Sequence, residues 1–428
     1  MSRRARRPPT IGCVPVLPAP PAPAEGATPD DVASWVTAHL GDLAREGADG
    51  VRPGALRGGQ TAADAALAGL DVTGYARSRS TVLPESRQGA TRLSPYIRHG
   101  LLPLPVVWDA VADAPGRDRH RFRDELLWQE YARHLYARVG PDLARPLRSG
   151  QPVLPDGAVP WDDPWTRDMA CMDHAVGSLL DDGWVVNQQR MWLASQWSVR
   201  GGRAWRAGEE AMFAHLLDGS RAANRLGWQW TVGTGSGKPY GFSRWQVEKR
   251  APQLCRSCPL ADDCPVQDWP ESSRGGPVDG PDLGRGAGEA VHAGPAEVEG
   301  AGTGEAVWLT AESLGDADPA LAADPDRPVE FCFDELLLAR LRVSGKRLVF
   351  LAECLGDLAT SYDVTVRRGD PLTELAGRPL AATWTPVPGW ARRAAALDVP
   401  EQHPWPWLRR PRPSSVRSFS AWRKAVER

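Results

Sequence analysis

Three thiols stand close together in LCRSCPLADDCP, where Cys255, Cys258 and Cys264 are spaced C-x2-C-x5-C. The segment holds two prolines and no strand pattern, and close-set cysteines in such a loop suit metal ligation. Three thiolates need a fourth ligand to close a four-coordinate site. Upstream, the apolar, Trp-rich run GWVVNQQRMWLASQW carries a single arginine, Arg190. A charge on so apolar a helix requires a partner, because an unpaired buried ion is strongly destabilising. Asp218 and Asn224 follow in LLDGSRAANRLGWQW. A third chemical feature is Glu125 in RFRDELLWQEYARHL, with Trp128 three residues on and therefore on the same helical face. An amphipathic helix with tryptophan in its core accounts for Trp128 but not for an acid beside LLW. Thr91 and Ser94, in GATRLSPYIRHG, precede an apolar run. Such hydroxyls are helix caps, or part of an anion site formed with the backbone N–H groups of the following helix start.

These groups need a scaffold, and 428 residues suffice for two or three domains with a sizeable core. The net charge of -2 supplies no global attraction to nucleic acid, so DNA contact would need a local basic surface. Seven unevenly spaced cysteines do not form a secreted disulfide framework. No apolar run reaches the roughly 18 residues of a membrane span, and a cytoplasmic protein is expected. Residues 1–30 are Pro-rich without an apolar signal core, and are expected to be disordered. Residues 31–270 follow a helical period, clearest in ASWVTAHLGDLA and RDELLWQEYARHLYARV. Residues 271–303 are Gly/Pro-rich with few large apolar side chains, hence a linker. From 304 to 428 the pattern changes. AVWLT, PVEFCF and YDVTVRRG read as short buried strands, and KRLVFLAECLGDLATS between them as a helix, which implies a parallel α/β unit. Cys13, Cys332 and Cys354 are isolated, the last two in apolar patterns. The 19 tryptophans are the most unusual feature of the composition, since tryptophan ordinarily anchors cores.

The stretch from Gly183 to Trp230 resembles the flavin-embracing core of the photolyase/cryptochrome family, and the chain as a whole resembles its bacterial iron–sulfur members. The resemblance implies an all-helical FAD-binding domain followed by a small parallel-sheet, Rossmann-like domain (α plus α/β), with FAD as cofactor. It implies that Tyr75 lies against FAD, and that Thr91, Arg92, Leu93 and Ser94 form its phosphate turn with Gln129 nearby. Arg190 and Asp218 would pair beside the flavin ring, with Asn224 against N5. Ser220 stands where the family usually has an acid, which would alter the flavin electrostatics. Glu125, Trp128, Asn187, Met191 and Trp230 match the family's substrate pocket. Trp228 and Trp205 match two members of its electron relay, the third being Trp165 or Trp161. Cys171, in TRDMACMDHAV, resembles the first cluster cysteine of the iron–sulfur members. With Cys255, Cys258 and Cys264 it would complete four thiolates around a 4Fe–4S cluster; zinc on the same four thiolates is the competing reading.

The family's α/β domain ordinarily comes first. Here VWLTAESLGDADPALAA and the segments after it place it last, so the chain reads as circularly permuted, and VRSFSAWRKAVER resembles the segment where that domain hands over to the helical one. Thr310 and Leu314 replace arginines of the family's opening loop, which argues against a second, antenna chromophore. Val186 and Asn187 match the enzymes of cyclobutane dimers rather than those of 6-4 photoproducts. The activity implied is deoxyribodipyrimidine photolyase: light-excited reduced FAD donates an electron to a pyrimidine dimer, the ring splits and the electron returns. The dimer must leave the base stack. The partner is then UV-damaged DNA, met by a monomer with a basic rim such as Arg98, Arg133 and Arg244. A preference for single-stranded DNA would reconcile dimer repair with the near-neutral charge. A cryptochrome-like blue-light photoreceptor without repair activity is the alternative, and a non-catalytic flavin and iron–sulfur redox protein a third reading.

Overall fold

The computed structural model describes residues 16–154, 162–271, 274–284 and 292–427. Trp161 and Cys13 lie outside the described residues.

The first helix, α1 (Pro29–Leu40), opens with a capping box in which Thr28 and Asp31 exchange hydrogen bonds, and with Pro29 at its first turn. The helical body then includes α2 (Ser94–Arg98), α3 (Gly116–Val139), α4 (Ala170–Gly177), α5 (Asn187–Ala194), α6 (Trp205–His215), α7 (Arg221–Val232), α8 (Arg244–Arg250) and α9 (Pro252–Arg256), with further short helices at Gln60–Ala68, Tyr75–Ser78 and Leu104–Ala110. Both α4 and α5 widen at their C-terminal ends into π-turns, Ser178–Asp182 and Ser195–Arg200. The sheet follows, with β1 (Ala306–Leu309), β2 (Val329–Asp334), β3 (Val364–Gly369), β4 (Leu380–Thr383) and β5 (Glu401–His403). Between β2 and β3 lies α10 (Gly345–Leu358), and α11 (Phe419–Val426) closes the described chain. All five strands are parallel in the order β3-β2-β1-β4-β5. The expected helical body and parallel α/β unit are thus both present.

Three hydrophobic cores divide the described residues. The largest joins the sheet, α1, α10 and α3, and the smallest gathers Trp308, Leu380 and Trp390 around β1 and β4. The second lies within the helical body and gathers Trp192, Trp205 and Trp228 with Cys171. No described helix is long and apolar enough to cross a membrane.

The structure differs from the expectation at the N-terminus. Within the stretch expected to be disordered, residues 16–28 lie on the sheet. Leu17 N–H donates to Val366 O at 2.8 Å, an antiparallel bridge on the β3 edge, and Trp35 Nε1 donates to Pro18 O. At the opposite edge Glu299 exchanges two backbone bonds with Gln402 of β5. Each edge is therefore met by added chain at one bridge, which covers part of its unpaired ladder. The linker segment is also docked elsewhere, with Gly150 donating to Gly276 O and Val278 to Arg148 O. These contacts are made by backbone groups, so a Gly/Pro-rich composition gives no sign of them.

Every residue of α10 is buried. One side faces the sheet. Against the other lie α1 and the segment 57–61, where Gly58 N–H donates to Glu353 Oε2 at 2.6 Å and Thr61 N–H to Asp357 Oδ2 at 2.8 Å. A Cβ at Gly58 would come within 2.2 Å of Phe350 O, so only glycine admits this approach.

The C-terminal tail crosses back onto α3. Phe419 stacks on Trp128 with centroids 4.1 Å apart, Tyr131 donates to Val416 O, and Arg423 pairs with Asp124. Trp422 Nε1 donates to His134 Nδ1 at 2.9 Å, while His134 Nε2 meets Arg409 O at 2.7 Å. One nitrogen must accept and the other must donate, so His134 is neutral here. Burial agrees, pulling it from 6.5 down to about 3. A histidine held neutral in the fold contributes fully above its unfolded value, and the contribution is lost as pH falls from there toward the folded value. Glu130, 3.9 Å from His134 and pushed up to about 7 by burial, has the opposite dependence. In Glu130→Gln protein, hydrogen exchange over residues 405–427 should therefore show protection that is constant above about pH 6.5 and declines as the pH is lowered to 5. Unchanged protection, after correction for intrinsic rates, would refute this anchoring.

Candidate flavin, lesion and cysteine site

The two halves of the expected flavin site meet. Arg190 projects from α5 and Asp218 from the loop between α6 and α7, with Arg190 Nη2 2.7 Å from Asp218 Oδ2. Asp218 Oδ1 is buried without a protein partner, and so is Nδ2 of Asn224 on the first turn of α7. A buried acceptor and a buried donor left open beside one ion pair fit a ligand that carries both functions. Ser220, standing where an acid was expected, caps α7, its side chain accepting from Ala223 N–H. That role suits any short polar side chain, aspartate included, so it accounts for a capping residue here but not for serine in place of an acid.

The turn 89–94 lies against the same region. Ser94 Oγ accepts from Trp184 Nε1 at 3.1 Å, which leaves its own proton to donate. The guanidinium of Arg92 sits 5.1 Å from the Trp184 ring. Arg92 has a φ of 56°, a left-handed conformation that a non-glycine residue holds only where its surroundings enforce it. Thr91 is half-buried and Leu93 buried in the same turn, and Gln129 is half-buried on α3.

On α3, Glu125 pairs with Arg79 at 3.4 Å. Burial pushes the Glu125 carboxyl up, while Arg79 and Arg121 pull it down. Tyr75 packs edge-on against Phe122 at 5.1 Å, and burial together with the Glu125 charge raises its hydroxyl. The other wall is Trp230, 41 % exposed, which lies 5.5 Å from Tyr240. Tyr240 OH accepts from Gln188 of α5 at 3.1 Å, placing Trp230 beside the helix that bears the exposed Asn187 and the half-buried Met191. Arg250 is near enough to both Arg79 and Tyr240 for each to act on its charge.

Trp128 is not a free stacking surface: one face of its ring carries Phe419. The cause is α3 itself, whose positions 124, 128 and 131 form one stripe facing α11. The expected basic rim also changes. Arg98 is held bidentately by Glu312 at 2.6 and 2.8 Å, Arg133 is committed to Ile97 O and the Trp405 ring, and Arg244 to Glu248 and Ala261 O. Arg79, Arg121 and Arg250 are the cations near Glu125 and Tyr240, and sequence gave no means to rank them above the chain's other arginines.

Among the tryptophans, Trp228 and Trp205 are buried in the second core and Trp165 is half-buried at its edge. Trp197 was missed. It lies 4.9 Å from Trp165, and a Cβ on Gly208 would meet Trp228 Cη2 at 2.3 Å and Trp197 Cδ1 at 2.8 Å. Both rings close on that glycine, so Trp197 bridges Trp228 to Trp165. Its position is set by the π-turn that extends α5, which no helical period reveals.

Cys171, Cys255, Cys258 and Cys264 line one cavity with Met169, Leu254 and Val266. All four are free thiols. Burial and the neighbouring cysteines push Cys171 up to about 12. Burial, then Glu248, push Cys255 up to about 11. Among the described residues no three His, Cys, Asp or Glu side chains form a group that could hold a metal ion as they stand. The convergence is looser, four thiols around a shared space.

Residues 122–250 match the family described as the FAD binding domain of DNA photolyase. The match is to that segment, under a third of the chain. The chain is 34% identical over 185 residues to a deoxyribodipyrimidine photo-lyase of Thermus thermophilus, an alignment covering 40% of this chain and 43% of that one. It is 31% identical over 160 residues to the Escherichia coli protein of the same description, covering 35% and 34%. The chain thus spans less than half the length of these curated relatives. A class III photolyase from Agrobacterium tumefaciens aligns at 26% identity over 51% of this chain and 47% of the other, with a TM-score of 0.38. A Synechocystis cryptochrome aligns at 22% over 50% and 48%, with a TM-score of 0.41. The photolyase-type segment contains Arg190, Asp218, Asn224, Glu125 and Trp230 together, while the turn 89–94 and three of the four clustered cysteines, Cys255, Cys258 and Cys264, fall outside it.

The ion pair at the centre of the site yields a prediction that needs no cofactor. Arg190→Met leaves Asp218 buried and unpaired, and should cost the helical body about 3–5 kcal/mol. The double variant Arg190→Met/Asp218→Asn should recover part of that loss. Urea unfolding followed by tryptophan fluorescence measures both; equal stability of the single and double variants would contradict the pairing.

Proposed function

We propose that this protein is an FAD-dependent, light-driven lyase that splits cyclobutane pyrimidine dimers in DNA. The observation that carries the reading is the pair of open buried atoms, Asp218 Oδ1 and Asn224 Nδ2, beside the Arg190 ion pair in the photolyase-type segment. Arg190, Asp218 and Asn224 would hold the flavin ring, and Thr91, Arg92, Leu93 and Ser94, with Tyr75 and Gln129 nearby, would bind the rest of the cofactor. FAD, when bound and reduced, supplies the light-driven electron. Glu125 accepts hydrogen bonds from base N–H groups, and its elevated affinity for protons also lets it share one with a base carbonyl. Trp230 and Met191 supply apolar contact, and Asn187 a side-chain amide at the start of α5. Trp128 forms a wall through its uncovered face. Arg79 and Arg250 offer positive charge to a phosphate at the mouth. Trp228, Trp197 and Trp165 form a line of rings from the interior to the edge, a route for electrons, with Trp205 in the same core.

The four cysteines are read as ligands of a 4Fe–4S cluster. A single ion needs donors converging on one point at about 2.3 Å, whereas a cubane spreads its ligands around a cluster, as these thiols are spread around their cavity. Arg244 lines that cavity and Arg200 lies near Cys171 and Cys264, supplying positive charge against thiolates. The chain is read as circularly permuted, its sheet last and its tail returned onto α3. A preference for single-stranded DNA follows from the near-neutral charge, since little electrostatic attraction is available for a duplex. The second reading, a photoreceptor, is favoured by one observation: the tail already occupies a face of Trp128.

UV-irradiated oligo(dT) mixed with photoreduced protein should recover thymine absorbance under blue light and not in the dark. Glu125→Ala should slow recovery about 10- to 100-fold, the worth of a charge-assisted hydrogen bond. A flavin-bearing protein with no recovery would favour the photoreceptor. Protein purified without oxygen should contain about four iron atoms per chain, lost in Cys264→Ser; zinc in their place would overturn the cluster.

A further inference from the structure

The loop that carries Asp218 is held from outside the photolyase-type segment. Arg98 Nε donates to Gly219 O at 2.9 Å, and His99 Nε2 meets Leu217 O at 3.1 Å. The third holder comes from the sheet domain: Arg347 of α10 donates through Nη2 to Gly219 O at 2.6 Å. Arg347 is 5% exposed, and its Nη1 is buried without a partner. Its guanidinium lies 4.9 Å from the Phe213 ring, whose other close cation, Arg221, is at 3.9 Å.

The charges around Arg347 are two cations, Arg98 and Arg221, and two acids, Glu312 and Asp218. Glu312 is engaged by both terminal nitrogens of Arg98. Arg221 is paired with Glu209 at 2.8 Å. Asp218 is the second acid whose charge reaches Arg347, but the two are not joined directly, since Arg347 Nη1 and Asp218 Oδ1 are each buried without a partner. A buried guanidinium with no compensating charge is strongly disfavoured, and the nearby charges of Glu312 and Asp218 both favour it. Arg190 pairs with Asp218 from α5, and Arg347 holds the loop from the sheet side through Gly219 O.

We propose that Arg347 is a positioning residue of the flavin site, fixing the Asp218 loop and sharing the charge of Asp218, so that cofactor binding depends on docking of the sheet domain. The inference rests on the FAD reading above. Gly219 sets the spacing: a Cβ there would lie 2.5 Å from Arg347 Nη1 and 2.7 Å from Phe213 O. Gly219→Ala therefore displaces the guanidinium while leaving its charge in the chain.

The test is the dissociation constant of FAD for the full chain, measured by quenching of flavin fluorescence. Arg347→Met and Gly219→Ala should each weaken binding about tenfold, and Arg347→Lys, which keeps one charged donor, should restore part of it. In the Asp218→Asn background Arg347→Met should have a much smaller effect, because the charge it balances is gone. Wild-type protein that binds no FAD would overturn the FAD reading and this inference together. Wild-type binding with unchanged affinity in Arg347→Met would overturn this inference alone. Additive effects in the double variant, or no rescue by lysine, would reduce Arg347 to a packing role and likewise overturn it.

Discussion

A helix buried on every side has no solvent face to spend on charged residues, and α10 carries four of them in its seam. Lys346 donates to Leu180 O, Arg347 to Gly219 O, Glu353 accepts from Gly58 N–H, and Asp357 from Thr61 N–H. Each meets backbone of the helical body, and Glu353 also pairs with Arg57 and Asp357 with the Thr61 hydroxyl. Buried polar groups are costly unless paired, so separating sheet and helical body would leave four side chains and their backbone partners open at once. The contact is therefore specific as well as extensive: apolar residues of α10 fill the largest core, and its charged residues fix which loops lie against it.

The candidate chemistry sits on the far side of those loops. Asp218 belongs to a connection between α6 and α7, and the turn 89–94 precedes a helix of barely more than one turn. Loops present functional groups well only when a rigid frame holds them. Here the frame is partly foreign to the segment that bears the chemistry, since Arg98, His99 and Arg347 all bind carbonyls of residues 217–219. The second core serves the other function. It places Trp228, Trp197 and Trp165 in the same apolar body as Cys171, Cys255 and Cys264, so a tryptophan route and a metal cluster would share one low-dielectric medium.

Much of this was legible in residue types and spacing. The two classes of unit follow from the change of hydrophobic period, and Arg190 announces an acid because it stands alone in an apolar run. The strands AVWL, VEFCFD and VTVRRG follow from β-branched and aromatic runs. What sequence hides is contact made through backbone or across long separations. Residues 16–28 and the Gly/Pro-rich segment bind the two sheet edges by N–H and C=O groups, which leave no side-chain pattern. Arg98, Arg133 and Arg244 look like surface charges until their carbonyl and aromatic partners are known. Trp197 stays hidden because a π-turn shifts the register of α5, and Phe419 because its partner Trp128 is nearly three hundred residues earlier.

The order of the units has a consequence for assembly. Domains ordinarily fold as units, N-terminal first during synthesis, but this helical body is made before the helix that completes it. Until α10 exists, Gly58 and Thr61 lack their carboxylate acceptors, and the carbonyls of Leu180 and Gly219 lack their cationic donors. Residues 16–28 likewise lack the β3 edge they bind. A body with that many buried groups unmet is not a finished domain, and the flavin loop is among the parts left unheld. Chain order thus makes the last-made half a condition for the first, and couples the cofactor site to the completion of the whole fold.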